Sequence, residues 1–456
     1  MTERTFRPYD RDQMLLLPPS LREWLPDGHL VYFIADLVEE TLDLSEIMEY
    51  YGGPARGTVP FDPRMLTAVL LYGYCIGVFS SRKIACRLVE DVAFRILAAN
   101  QRPDFRTISD FRKQHLKALS GLFKQVFQLC KKARLVKLGN VAIDGTKIQA
   151  NASKHKAMSY ERMNKEEARL TAEIEAMFRT AQRADDEEDA LYGPDKTGDE
   201  LPEELQHRES RLKKIREAKA ELEREAQEEA EVKKREQVAR EAEGGQRGPK
   251  PKDPTGEPDP KAQKNFTDPE SRIMPAPTHK KSFMQGYNCQ AAVDGKNQII
   301  VAAEVTQETN DRQQAQPMMA QVEENAGALQ KQTLMDAGYY SKDNVESLKT
   351  DIYMPPDRME HGKEIPAAPR GRMPVGLSVA DRMRRKLRTK RGRAIYAKRK
   401  EIVEPVFGQI KQARGFRQFL MRGLKKVKGE WSLVCTTHNI LKLWKSGQFK
   451  PGFAAS

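Results

Sequence analysis

From Ala157 to Gly244 most residues are Glu, Lys, Arg, Ala or Gln. No core can absorb such a run, because an unpaired buried charge costs more than its packing returns. Met163, Leu170, Ile174 and Met177 mark one thin apolar stripe through it. Leu205, Leu212, Ile215 and Leu222 mark another, and Asp185–Pro202 breaks the pattern between them. Two readings fit: antiparallel helices zipped along the stripes, or charged helices lying free in water. Next, Gly245–Pro277 is rich in Pro, Gly, Lys and Asp and reads as a mobile linker over 245–277. Strand-like sequence flanks the whole block. Residues 156–244 are therefore expected to be a charged helical hairpin inserted within an α/β domain.

The rest of the sequence bounds the class of protein. A chain of 456 residues predicts two or three domains. Its 78 Lys and Arg against 65 Asp and Glu leave a net charge of +13, which favours a polyanionic partner, nucleic acid above all. The longest apolar stretch, Met65–Val78, is interrupted by Thr67, Gly73 and Gly77. It falls short of the roughly 18–20 residues that span a bilayer, so no membrane partner is expected. The opening MTERTFRPYD has no apolar signal region. Cys75, Cys86, Cys130, Cys289 and Cys435 are scattered without a CxxC pair and read as reduced thiols of a cytoplasmic protein. With seven dispersed histidines, no zinc site is expected.

Residues 1–137 read as all-α. Leu30, Phe33, Ile34, Leu37, Val38 and Leu42 follow helical spacing. Asp62-Pro63 is a helix start, Ser81 opens another helix, and Thr107 to Asp110 has capping-box spacing. Short helices with Arg and Lys on their polar faces predict either a helix-turn-helix-like DNA-binding unit or an ordinary bundle. At Gly139-Asn140 the pattern changes: NVAIDGTKIQANAS opens with a turn and continues as a buried strand. Strand-like segments return at 286–294, 298–306 and 332–338, with a helix expected over Arg312–Ala328 between the last two. That is an α/β arrangement over 138–155 and 278–446.

Two carboxylates end predicted strands: Asp144 closes VAID before Gly145, and Asp336 closes TLMD before Ala337-Gly338. Either alone reads as a strand-end turn residue or helix cap. Two in one basic chain suggest acids that are paired or metal-bound, since burying a bare carboxylate is expensive. Glu404 lies in a segment with helical periodicity through Ile395, Ile402, Val403, Phe407 and Ile410, and fourteen Lys or Arg fall between Arg382 and Arg417. It is either a surface partner of Lys400 or, given Val403 and Phe407 beside it, turned toward a core-facing site. Asp294 reads as a hairpin turn, Asp311 as a helix cap, and His438-Asn439 as core polarity.

VAIDGTKIQANAS, GYNCQAAVD, LMDAGYYS and IVEPVFGQIK, in this order, resemble the catalytic core of the DDE transposases of bacterial insertion sequences, most closely those with a long insertion after the first strand. FDPRMLTAVLLYGY and FRTISDFRKQH resemble their helical N-terminal domain, so the likeness covers nearly the whole chain. It implies a ribonuclease H-like mixed sheet flanked by helices. It also implies three catalytic, metal-binding acids, Asp144, Asp336 and Glu404, with two Mg2+ (or Mn2+) ions. Related families carry Tyr, Arg, Glu and Lys at set spacings around the third acid. Glu404 and Lys411 match, while Arg399, at its expected distance from Tyr396, lies one residue too far from the glutamate. Lys400 is thus a rival for the arginine's place and Glu401 for the glutamate's.

The activity so implied is metal-dependent cleavage at transposon ends, followed by 3′-hydroxyl strand transfer into target DNA. Partners would be terminal inverted repeats and target DNA, bound by a homodimer in the bacterial cytoplasm at the nucleoid. Lys411, Arg399, Lys400 and Tyr396 would meet DNA near the acids. Arg382, Arg384, Arg385, Lys386, Arg388, Arg391 and Arg393 would grip its backbone. The alternatives are a ribonuclease H-like nuclease without strand transfer, and a DNA-binding scaffold without catalysis.

Overall fold

The computed structural model describes residues 20–51, 59–153, 156–192, 203–242, 255–275, 282–357, 368–369 and 371–451. The N-terminal region is helical as expected: α1 (Leu30–Asp36), α2 (Ser45–Glu49), α3 (Pro63–Cys75), α4 (Ser81–Glu90), α5 (Val92–Leu97), α6 (Phe105–Gln114) and α7 (Leu116–Lys132). Asp62 caps α3 by accepting the Arg64 N–H at 2.7 Å, and Pro63 takes the first helical position, where its missing N–H costs nothing. The α6 start differs from the expected capping box at Thr107. Asp104 lies upstream and accepts the N–H groups of both Arg106 and Thr107, so the helix nucleates earlier, then breaks at His115.

The sheet begins with β1 (Asn140–Gln149). After it come β2 (Ala157–Ser159), the long helices α8 (Tyr160–Tyr192) and α9 (Glu203–Ala242), and the short strands β3 (Gln263–Asn265) and β4 (Arg272–Pro275). The core resumes with β5 (Phe283–Asp294), β6 (Ile300–Thr306), α10 (Ala315–Ala326), β7 (Gln332–Leu334), α11 (Lys342–Ser347) and β8 (Asp351–Tyr353). It closes with α12 (Val379–Arg388), α13 (Lys390–Gly408) and α14 (Leu424–Ser446). Strands β6, β5, β1, β7 and β8 lie side by side, with β5 antiparallel to both β6 and β1, and β7 and β8 parallel to β1. This is the ribonuclease H-like arrangement, a mixed sheet flanked by helices. Val141, Ala142 and Ile143 are fully buried in its middle strand, as a run with neighbours on both edges requires.

Helices α3 and α7 pack on α14, and their apolar faces join one continuous core with the sheet. A buried network fastens them: Arg112 donates to the Tyr74 hydroxyl at 3.0 Å, and Tyr74 donates to Glu430 at 3.2 Å. Glu430 also accepts the backbone N–H groups of Leu420 and Met421.

The charged segment is an antiparallel helix pair with its own small core. Met163, Leu170 and Ile174 of α8 meet Leu212, Ile215 and Leu222 of α9, so the zipped arrangement is the one adopted. The Leu205 side chain and residues 193–202 lie outside the described residues. The stretch expected as a linker contributes structure instead. Over 255–275, β3 pairs with β2 at the root of the hairpin, and β4 pairs with β5 at the sheet edge. Lys264 explains why this polar sequence orders: its ammonium is buried between Glu221 and Glu225 at 3.2 and 2.7 Å. Residues 245–254 and 276–277 of that expectation lie outside the described residues.

Candidate active site

Asp144 does not end its strand; β1 runs on to Gln149. Its side chain lies in the sheet near α13, where Arg399 donates to Oδ2 at 2.8 Å while the Gly145 N–H donates to Oδ1 at 2.9 Å. The other guanidinium nitrogen of Arg399 stands 3.9 Å from Glu404. One arginine thus bridges the first and third acids expected from the sequence. Asp336 lies two residues beyond β7, which stops at Leu334, and accepts the Gly338 N–H at 2.8 Å as the cap of a short turn. Because β7 is parallel to β1 and adjacent to it, this strand-end loop opens beside Asp144.

A fourth carboxylate joins them. Asp311 was expected to cap a helix, but its side chain makes no such bond. Its Oδ1 instead accepts from the amides of Asn288 and Gln290, both at 2.7 Å, with the Lys147 ammonium 3.9 Å away. Gly145 makes this possible: a Cβ there would stand 2.6 Å from Asp311 Oδ1. Added at Gly338, a Cβ would meet Asp336 Oδ1 at 2.9 Å and Asp311 Oδ2 at 3.5 Å, so these two carboxylates share one small space. Tyr339, buried beneath, donates its hydroxyl to Gln290. The alternation of apolar and polar residues along β5 concealed this. Asn288 and Gln290 are fully buried amides in a strand core, a signal of an acceptor waiting nearby.

The electrostatics follow from crowding. Burial pushes the Asp144 carboxyl up to about 6, and Asp336 and Asp311 add to the rise while Arg399 opposes it. Burial pulls the Lys147 ammonium down against the pull of Asp311, Asp336 and Asp144. Tyr396 is raised by burial and hydrogen-bonds Arg399. Lys411 is lowered by burial and donates to Thr146 Oγ1 at 2.7 Å and to the Lys147 carbonyl at 3.3 Å. Arg399 and Lys411 therefore touch β1 two residues apart, at Asp144 and Thr146. Pro405, inside α13, removes the N–H that would bond the Glu401 carbonyl, and Gln298 supplies the missing donor at 3.0 Å.

Arg399 contacts Asp144, whereas Lys400 is exposed; Glu404 and Glu401 are both exposed, Glu404 standing 3.9 Å from Arg399 and Glu401 offering its carbonyl to Gln298. The cationic segment divides too. Arg384 pairs with Asp357 and Asp381, Lys386 with Asp351, and Arg385 donates to the carbonyls of Gly371 and Arg372. These three brace α12 rather than stand ready for a ligand. Arg382, Arg388 and Arg391 are exposed, and Arg393 is half-buried. Asp294 accepts the Lys296 N–H within the β5–β6 turn and the N–H groups of Lys137 and Leu138 ahead of β1. His438 is buried against the Gln298 carbonyl, and Asn439 pairs with the backbone of Ile300, which is core polarity as expected.

The donor set is carboxylate oxygen throughout, the kind that Mg2+ or Mn2+ takes. Among the described residues no three acidic, histidine or cysteine side chains converge closely enough to hold an ion together. Arg399 stands between Asp144 and Glu404, at 2.8 and 3.9 Å.

A ribonuclease H-like sheet with acids at its centre defines a class of nucleic-acid-processing enzymes. Residues 374–444 match the transposase DDE domain, and residues 19–114 match the DUF772 transposase domain. No curated protein and no solved structure matches significantly. Both matches support a DDE transposase of the insertion-sequence type. The matched C-terminal segment holds Arg399, Glu404 and Lys411; Asp144 and Asp336 lie outside both matches. A transposase domain implies binding to a DNA substrate, and DDE transposases generally use divalent metal ions. Among the described residues no helix is long and apolar enough to cross a membrane.

Proposed function

We propose that this transposase cleaves DNA at the ends of its own element and transfers the freed 3′-hydroxyl to target DNA, with Asp144, Asp336 and Glu404 as its catalytic acids. The observation that carries the reading is the Arg399 bridge, which brings Asp144 and Glu404 together from elements 260 residues apart in sequence. Asp144 and Asp336 would hold a divalent ion between them, with Glu404 on a second. When bound, such ions activate the attacking oxygen and stabilise the leaving one.

The protein's own groups orient the reaction. Gly145 N–H fixes Oδ1 of Asp144 while Arg399 holds Oδ2, and Gly338 N–H fixes Oδ1 of Asp336. Arg399 holds Asp144 and Glu404 in register, and its planar fork is suited to a phosphate contact. Tyr396 steadies that guanidinium, and Lys411 offers a second phosphate contact. Two copies acting as a homodimer would hold the two ends.

The test uses duplexes carrying the DNA that borders the coding sequence, with Mg2+. Cleavage at the border and joining of a pre-cut 3′-hydroxyl end are expected. Cleavage without joining would favour a nuclease, and neither reaction with intact DNA binding would favour a scaffold.

A further inference from the structure

The root of the helical hairpin contains an open cleft of about 640 Å³, lined by Lys156, Arg162, His207, Arg211, Lys214 and Phe266 among others. No carboxylate is among its lining residues. Elsewhere on the hairpin, cations face glutamates: Glu167 meets Arg216 and Lys219, and Glu173 meets Arg169 and Arg208. Of the cleft's cations, Arg211 pairs with Glu166 at 3.0 Å and Arg162 acts on the same carboxylate, so one glutamate answers two cations there. Cations that outnumber the acids facing them in a concave surface repel one another unless an anion binds between them.

The position of the cleft says which anion. Beyond Asp144 and Thr146, β1 ends at Gln149, whose backbone bonds Arg417 and Phe419 of the adjoining segment. Arg422 donates to the carbonyl of Asn151, two residues further on. Arg417 and Arg422 are exposed, and the cleft opens at Lys156. Cations therefore occur at every stage from the acids to the hairpin: Arg399, Lys411, Arg417, Arg422, then the cleft. From Asp144 to Gln149 the strand advances about 17 Å at roughly 3.3 Å per residue, the length of about five base pairs at roughly 3.4 Å each.

We infer that duplex DNA leaving the catalytic acids runs along β1 and places its sugar–phosphate backbone in the hairpin cleft. The inference rests on the transposase reading of the acid site. A track of cations with no base-reading element contributes affinity without sequence preference.

The test is fluorescence anisotropy of the full-length chain on a long mixed-sequence duplex over a range of salt concentrations. The triple variant Lys156→Gln, Arg162→Gln, Lys214→Gln should lose roughly 2–3 from the slope of log Kd against log salt, and each single substitution about one. The control variant, Lys233→Gln, Lys234→Gln, Arg235→Gln, removes equal charge from an exposed stretch of α9 and should leave the slope near wild type. All six side chains are exposed, and thermal unfolding checks that each variant folds. An unchanged slope in the cleft variant, or an equal loss in the control, would overturn the cleft as a DNA site while leaving the acids' role intact. A wild-type chain that binds no duplex would overturn the transposase reading beneath it.

Discussion

The catalytic sheet and the inserted hairpin both carry charge, and they use it in opposite ways. In the sheet, charged groups are few and enclosed, and each is held by named partners: Asp144 by Arg399, Asp311 by two amides, Glu430 by Tyr74 and two backbone N–H groups. In the hairpin they are many and mostly exposed, paired across or along the helices. A buried charge is stable only while its partners stay, so its removal is costly. An exposed pair is screened by water and salt and contributes little. The charge that constrains the fold is thus the charge composition hardly registers. The abundant charge of the hairpin leaves stability to a thin apolar seam.

The contrast is tested hardest at the acids. Asp144→Asn or Asp336→Asn keeps side-chain shape and removes a carboxylate charge. Loss of several kcal/mol of barrier lowering should cut DNA cleavage by about 10³-fold or more. Cleavage within tenfold of wild type would mean the acids are structural. Next comes Glu430→Ala, which strands Arg112 in the core and leaves two backbone N–H groups without an acceptor. It should destabilise the protein by about 3–5 kcal/mol, read by urea unfolding. A loss below about 1 kcal/mol would show that the junction between the N-terminal helices and the sheet is held by apolar packing alone.

Much of this was readable from sequence where period and spacing decide the outcome. The apolar stripes through Met163 and Leu212 foretold the hairpin, and the strand segments foretold the sheet. What escaped was set by tertiary partners. Asp144 looked like a strand end because Gly145 follows it, yet that glycine makes room for Asp311 within a continuing strand. Asp311 looked like a cap because its donors, Asn288 and Gln290, lie on a strand more than twenty residues away. Residues 263–275 looked like a linker because their order depends on Lys264 finding Glu221 and Glu225 on α9. Arg384 and Lys386 looked like free cations because Asp357 and Asp351 meet them only once β8 and α12 are in place.

Within the hairpin, the seam should matter and the charges should not. Ile215 is almost wholly buried against the α8 stripe, and Ile215→Ala should cost about 2–4 kcal/mol. Because that seam is separate from the main core, amide exchange should quicken in α8 and α9 while β1 and β5 keep their protection. Equal loss of protection in the sheet would show that the two regions unfold as one.

His438 gives the enclosed region a pH signature. Burial lowers its imidazole to about 3, with Arg414 adding to the effect, so the folded protein keeps it neutral while the unfolded chain protonates it near 6.5. Between those values the unfolded state binds more protons. Stability should therefore fall as pH drops below 6.5, by at most about 1.4 kcal/mol per pH unit from this group. His438→Gln should flatten that part of the profile.

The smallest effect belongs to Glu167, which faces both Arg216 and Lys219 at 3.0 Å across the helix pair. Two ion pairs on one carboxylate look important, and hydrogen bonding to Lys219 holds its pKa below the usual carboxylate range. Its cationic partners nevertheless remain open to water, Arg216 by more than half of its side chain. Glu167→Gln should cost less than about 1 kcal/mol, and less again at high salt. A cost as large as that of Ile215→Ala, insensitive to salt, would mean that the hairpin's charges lock its helices as firmly as Arg399 locks the acids, and the division between the two regions would fall.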